Sequence, residues 1–177
     1  MQKNSPADDI KFICNAFLRL DKFSLQKLGA DPEEYEKDVT KNFLTILTSS
    51  CSLNFSKSQS EKLRQAILNV FRRAQFNVET IAENGDTVTV KVTVGTFEKF
   101  TQDMAVAKLP PNAAQMSKEE QTDAIANALA DSLNEMQIKS WFEFTAECFF
   151  EDEVKMWVPI NAQDFGAKIT MKIWDFE

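Results

Sequence analysis

The segment Thr87-Val-Thr-Val-Lys-Val-Thr-Val94 is the most informative part of the sequence, because valine alternates with a polar residue at every step. Such alternation is typical of a β-strand with one buried face, since successive side chains point to opposite sides of the sheet. Before it, Phe76–Ile81 reads as a second strand, and Asn84-Gly85-Asp86 supplies a turn whose Asn-Gly pair accepts positive φ. We therefore predict a β-hairpin over about residues 76–100, with the valines buried.

Residues upstream of the hairpin carry helix-start signals. Ser5-Pro6, followed by two aspartates, places a cap, a first-turn proline and acidic side chains at the positive end of a helix. Asp31-Pro32 begins a later helix in the same way, and Ser56-Lys57-Ser58-Gln59 is a capping box. These signals predict three or four helices over about residues 5–75.

A second capping box, Ser117-Lys-Glu-Glu120, follows the hairpin and predicts a helix over about residues 117–139. The apolar segments Trp141–Phe150 and Val154–Ile160 then read as strands, joined through three acidic residues. We expect both faces of the first of these strands to be partly apolar.

Near the C-terminus, Ile169, Met171 and Ile173 alternate with other residues, and Trp174 follows. We interpret this alternation as a last strand, which completes a three-stranded meander over about residues 141–176. Helices that precede an antiparallel sheet indicate an α+β domain with its helices on one sheet face. The sequence thus predicts a single domain over residues 1–177, with N-terminal helices packed on a curved antiparallel sheet of about five strands.

The sequence contains no histidine, which excludes many kinds of active site. Sites built on an imidazole acid–base group or on a histidine metal ligand are ruled out. The four glycines are too far apart to form a phosphate-binding loop. We therefore predict no catalytic residues, no metal site and no cofactor.

Charge and cysteine usage limit the partners and the compartment. The net charge of −7 opposes binding to nucleic acid and to anionic lipid surfaces. Three scattered cysteines, Cys14, Cys51 and Cys148, are too few for a disulfide framework, and one bridge among them stays open. The polar start of the chain is unlike a signal peptide. Either the protein is cytoplasmic, or Met1 stands in place of a removed targeting segment.

Three residues are candidates for ligand contact: Tyr35, Glu143 and Trp157. The chain has 15 phenylalanines but 3 tryptophans and 1 tyrosine, and these rarer rings combine apolar area with a polar group. Because Trp157 alternates away from Met156 and Val158, we expect it to be exposed. We expect Glu143 to be the polar anchor if its strand face turns towards a ligand on the concave side of the sheet.

The order of elements, with paired helices, an Asn-Gly hairpin, an inserted helix and an aromatic meander, resembles the NTF2-like, cystatin-like group. The segment Ala16–Gly29 resembles the early part of bacterial lipoprotein ectodomains of unknown function. This resemblance implies a non-enzymatic binding or interaction domain that is extracytoplasmic and membrane-anchored through an N-terminal segment absent from this chain. Its partner would be a small molecule or a protein, including a second copy in a homodimer.

Two alternative functions stay open at this point. The first is an enzyme that uses carboxylates or Tyr35 in an NTF2-like pocket. The second is a cytoplasmic assembly subunit that dimerises through its sheet. A carboxylate whose pKa is raised by burial inside the pocket would favour the enzyme.

Overall fold

The structure is a computed structural model that describes residues 4–51 and 54–173. In chain order its helices and strands are α1 (Pro6–Leu18), α2 (Lys22–Lys27), α3 (Pro32–Cys51), α4 (Lys57–Arg72), β1 (Phe76–Asn84), β2 (Thr87–Phe97), α5 (Gln102–Val106), α6 (Lys118–Glu135), β3 (Ile138–Glu151), β4 (Met156–Pro159) and α7 (Ala162–Ile173). A short 3-10 turn, Ala113–Gln115, lies between α5 and α6.

The predicted helices over residues 5–75 are confirmed as α1 to α4, and their caps form as expected. The Ser5 hydroxyl accepts a hydrogen bond from the backbone N–H of Asp8 at 3.1 Å. Ser56 at the start of α4 and Ser117 at the start of α6 each form a complete capping box. Each box satisfies backbone N–H groups that the first helical turn leaves without a partner.

The hairpin is also confirmed, with β1 paired antiparallel to β2. The four valines of β2 from Val88 to Val94 are buried on one face, whereas Thr89 and Lys91 are half-buried on the other. In the turn, the positive φ falls on Gly85 (67°), and Asn84 is the last residue of β1. Glycine at the first of two turn residues is typical of a type II′ hairpin, whose twist matches that of the strands.

The sheet has four antiparallel strands in the order β1-β2-β3-β4, and the prediction of about five strands is wrong. The segment assigned to a last strand is helix α7. Phe165, Ile169 and Ile173 are buried and lie four residues apart, which places them on one helical face. Asn161 supports the helix start, because its side-chain oxygen accepts a hydrogen bond from the N–H of Asp164 at 3.0 Å.

The remaining boundaries near the C-terminal half also differ from the expectation. Helix α6 ends at Glu135 rather than near residue 139, and β3 begins three residues before Trp141. Within the described residues, which end at 173, two strands and a helix stand in place of the meander predicted over residues 141–176. Strand β4 covers four residues, because Val154 and Lys155 belong to the turn, where Lys155 has a positive φ of 56°. Trp174 lies outside the described residues.

The helices cover one face of the sheet and form the core with it. Helix α1 packs on β1 and β4, and α7 packs on β2. Helices α4 and α6 pack against each other. The core joins the valines of β2 to fully buried side chains such as Phe71, Ile10 and Ile169. The fold is thus an α+β domain with one layer of helices packed on one sheet. Within the helical layer, α1, α3 and α7 lie close to β4.

Candidate functional site

An apolar cavity of about 480 Å³ lies where α1, α3, β4 and α7 meet. It is lined by Ile13, Phe17, Leu28, Tyr35, Val158, Pro159, Ala162, Gln163, Phe165, Gly166, Ala167 and Thr170. None of these lining residues carries a charge. Its volume lies in the range of pockets that hold small molecules.

Tyr35 is the candidate residue that lines this cavity. It lies in the first turns of α3, where its N–H donates to the carbonyl of Asp31 at 3.0 Å. Its ring meets the ring of Phe17 on α1 edge to face, with the centroids 5.5 Å apart. Burial raises the pKa of the Tyr35 hydroxyl above its usual value. The hydroxyl therefore stays protonated at neutral pH and can both donate and accept a hydrogen bond.

The polar part of the cavity is small and comes from two helices. Tyr35 belongs to α3, and Gln163 and Thr170 belong to α7. The Thr170 hydroxyl donates to the carbonyl of Gly166 at 2.8 Å, so its hydrogen is already engaged. Gly166 leaves extra room, since a Cβ atom added there would meet nothing within 4 Å. The arrangement fits a mainly apolar molecule with one hydrogen-bonding group.

Glu143 does not lie with Tyr35, because it points away from the helical layer. It pairs across the sheet with Thr93, whose hydroxyl donates to a Glu143 oxygen at 3.2 Å. The Lys91 ammonium lies 3.4 Å from Glu79 and 3.9 Å from Glu143, so it is shared by the two carboxylates. Glu143 is exposed on the outer face of the sheet and is not part of the cavity.

The prediction that Trp157 is exposed is wrong, since its side chain is half-buried. Trp157 lies opposite Phe150 in the β3–β4 pair, and the two rings meet edge to face with centroids 5.7 Å apart. Phe150 shares its strand face with Phe144, which packs on Phe165 of α7. The register of β4 on β3 therefore turns Trp157 towards the helical layer. Of the two tryptophans that the structure describes, Trp141 is the exposed one, at 54% of its maximal area.

The sequence reasoning missed the cavity residues of α7, above all Gly166. The signal that identifies them is the four-residue spacing of Phe165, Ile169 and Ile173 behind Asn161, a good helix cap. Read as a strand, the same segment places Phe165 and Gly166 in a loop. Read as a helix, it brings both residues beside α1 and α3.

A second, polar groove of about 550 Å³ lies between α1, α3 and α4. Four of its charged residues, Arg19, Asp21, Glu36 and Arg72, are engaged with neighbouring parts of the protein. The Arg19 guanidinium donates to the carbonyl of Ala74 at 2.9 Å, and the Asp21 carboxylate accepts from the N–H of Ser24 at 2.8 Å. The buried carboxylate of Glu36 lies 3.5 Å from Arg72. We interpret these contacts as structural, because they hold the helices around the groove together.

The two described cysteine side chains, Cys14 and Cys148, are buried free thiols. Burial raises the pKa of Cys14 to about 12, and the nearby Cys148 adds to the increase. Burial likewise raises the pKa of Cys148 to about 12. Both thiols are therefore protonated and poor nucleophiles at neutral pH. The side chain of Cys51 lies outside what the structure describes.

Within residues 4–51 and 54–173, no group of three or more cysteine and acidic side chains is placed to hold a metal ion. Across the same part of the chain, no helix combines the length and the apolar character needed to cross a bilayer.

Comparison with known proteins gives one solved structure of similar fold. No protein-family model matches the sequence. No curated protein matches it either. The chain is similar to the crystal structure of a "putative lipoprotein (ycdA)" from Bacillus subtilis subsp. subtilis str. 168, with a TM-score of 0.66 and 14% sequence identity. The match covers 97% of this chain and 56% of the other, so the chain spans about half the length of that protein. At this identity the likeness shows a shared fold.

Proposed function

We propose that this chain is a non-enzymatic binding domain of an exported, membrane-anchored lipoprotein. We propose further that its apolar cavity binds a small uncharged molecule with one hydrogen-bonding group. The lining of the cavity supports the proposed ligand class. It encloses about 480 Å³, its surface is apolar and uncharged, and Tyr35 contributes a hydroxyl group. The fold shared with the Bacillus subtilis protein supports the first statement.

The chemistry of the lining favours binding over catalysis. An enzyme in this pocket would need a titratable group near its substrate, and the lining residues include no carboxylate, amine or thiol. Tyr35 is protonated, and no described cation lines the pocket to activate it. The enzyme alternative therefore has no general acid or base besides a phenol with a raised pKa.

The same lining selects against charged ligands. Moving an ionised group into an apolar site without a partner costs several kcal/mol, and 1.4 kcal/mol corresponds to a factor of about ten in affinity. At about 30 Å³ per water-sized group, the cavity has room for about 16 such groups. A straight-chain alcohol such as decanol fits this space, with its hydroxyl within reach of a polar lining group.

Calorimetric titration with matched probes tests the ligand class. We expect decanol to bind, and we expect decanoate and decylammonium to bind at least about tenfold more weakly. Tyr35→Phe should weaken decanol binding by about two- to tenfold, the range expected for one hydrogen bond. Gly166→Leu should abolish binding by filling the cavity, whereas Gly166→Ala serves as its matched control. Equal binding of the charged probes, or binding that survives Gly166→Leu, would contradict the proposal.

Lipid attachment is tested separately in cells that express the full-length gene. Metabolic labelling with an alkyne-bearing fatty acid should mark the protein, and the marked protein should sediment with membranes. An unlabelled protein in the soluble cytoplasmic fraction would contradict the lipoprotein assignment and favour a cytoplasmic assembly subunit. The closer grouping with NTF2-like, cystatin-like domains stays a prediction, and the replacement of its last strand by α7 is the main departure from it.

A further inference from the structure

Strand β3 is much longer than its neighbour β4. It spans 14 residues, whereas β4 spans 4 and pairs with Cys148–Glu151. On the side away from β2, the Glu147 carbonyl accepts a hydrogen bond from the N–H of Ile160 at 2.9 Å, and residues 138–146 have no strand partner within the described part of the chain. An open strand edge presents backbone N–H and C=O groups that can pair with another strand.

The opposite edge of the sheet, formed by β1, is built differently. Its pairing with β2 is interrupted by a bulge between Thr80 and Ala82. Glu79 and Glu83 add exposed negative charge along the same strand. A bulge and charged side chains are common devices that prevent edge-to-edge association. Strand β3 is paired regularly with β2 from Ser140 to Glu147, and its one register shift falls at Lys139, between the partners of Thr96 and Phe97, at the end of the strand.

The free edge of β3 carries an exposed tryptophan between opposite charges. Trp141 is 54% exposed, and its indole lies on the outer face of the sheet with Glu143. Lys139, two residues before it, is also exposed, and its Nζ atom is 3.9 Å from Glu98. Large exposed aromatic residues often anchor protein interfaces. Since Glu143 shares Lys91 with Glu79, it can still gain from a second cation.

We propose that two copies of this chain pair through their β3 edges, antiparallel and centred on Trp141. In this register each Lys139 lies opposite the Glu143 of the other copy, and the two Trp141 residues lie opposite each other. A two-fold axis perpendicular to the sheet repeats each contact, as expected for an isologous dimer. Opposite charges in directly facing positions stabilise strand pairing. The two sheets join into one.

The charges along β3 favour this register over its neighbours, and they favour a second copy of the chain as the partner. A register centred on Glu143 would bring its two copies face to face, and like charges in that position are destabilising. A register centred on Phe142 would place Trp141 opposite Glu143 and leave Lys139 opposite Thr145. The centre at Trp141 matches the charges on both sides of the axis because the edge is complementary to itself. This self-complementarity favours a second copy over an unrelated strand.

Sedimentation velocity over a concentration series tests the pairing. We expect the wild-type protein to form a dimer, and we expect Glu143→Lys or Lys139→Glu alone to raise its dissociation constant by about tenfold or more. The double variant, Lys139→Glu with Glu143→Lys, should restore dimerisation because it restores both charge pairs. Glu147→Lys is the matched control: it makes the same change on the same strand face, outside the paired segment.

Hydrogen exchange provides a readout that does not depend on variants. Amides in residues 138–144 should exchange more slowly at high than at low protein concentration, whereas those of β1 should not change. If the protein stays monomeric at all concentrations, the proposal is overturned. The same holds if the β3 edge pairs with an extended segment of another protein instead of a second copy. A dimer that is insensitive to Glu143→Lys, or not restored by the double variant, also overturns it.

Discussion

The carboxylate of Asp9 on α1 accepts a hydrogen bond from the backbone N–H of Trp157 on β4, with Oδ2 and N 2.9 Å apart. The two residues are 148 positions apart in the sequence. The other oxygen of Asp9 accepts a bond from the side-chain amide of Asn4 at 3.0 Å. Asp9 is buried, so this contact ties the first helix to the short edge strand that borders the cavity.

Removing the Asp9 carboxylate should destabilise the protein. Asp9→Ala leaves the Trp157 N–H without its acceptor in a part-buried site, which costs about 1–3 kcal/mol. Chemical denaturation should report this loss in the free energy of unfolding. Asp9→Asn keeps an acceptor oxygen and should cost less, and Asp8→Ala changes an exposed carboxylate on the same helical turn. Equal effects of Asp9→Ala and Asp8→Ala would show that the α1–β4 bond contributes nothing.

The buried thiols should make the protein less stable in alkali. The pKa of Cys14 and that of Cys148 are each raised to about 12, against 9.0 for an unperturbed thiol. Between about pH 9 and pH 12 the unfolded thiols lose protons that the folded ones keep. The free energy of unfolding therefore falls as the pH rises through this window, by up to about 1.4 kcal/mol per unit for each thiol.

Variants isolate the thiol contribution from that of lysine and tyrosine. Cys14→Ala and Cys148→Ala should each make the decline in the free energy of unfolding above pH 9 shallower. Below pH 9 each variant should differ from wild type by a constant amount, because packing is lost at every pH. An unchanged slope in both variants would mean that these thiols are not protected by burial.

Alanine substitution should change the stability of the protein in opposite directions at two glycines. Gly166 lies within α7, where an added Cβ meets nothing within 4 Å, so Gly166→Ala should raise stability by about 0.5–1 kcal/mol. At Gly95 the added Cβ would lie 2.9 Å from Cδ1 and 3.1 Å from Cγ2 of Ile138. Gly95→Ala should therefore lower stability, by about 1–3 kcal/mol for crowding of this kind. Thermal melts of the two variants, compared with wild type, show whether each substitution raises or lowers stability.

The parts of the fold that local sequence determines were predicted correctly. The hairpin, the four early helices and the cap residues Ser56 and Ser117 depend on side chains within a few positions of each other. Helix α7 was missed because its sequence supports two periods at once. Ile169 and Ile173 fit both a two-residue alternation and a four-residue spacing, and packing of Phe165 on Phe144 favours the helix.

Of the three candidate contacts, Tyr35 lines the cavity and Glu143 and Trp157 do not, and ligand contact at each of them stays a prediction. Tyr35 was selected for its chemistry, which the sequence reveals directly. The position of Trp157 depends on how β4 pairs with β3, and alternation within β4 cannot show which face meets the helices. The free edge of β3 likewise arises from the unequal lengths of two strands, which no motif marks.

An NMR titration of the labelled protein with decanol tests whether the apolar cavity is a binding site. We expect amide shifts at the cavity, centred on Tyr35, Gly166 and Thr170, and no shifts at Glu143 on the outer face of the sheet. The same titration of Gly166→Leu should leave these amides unchanged. Shifts centred on Glu143 and Trp141, or no saturable shifts at all, would contradict a binding function of the apolar cavity.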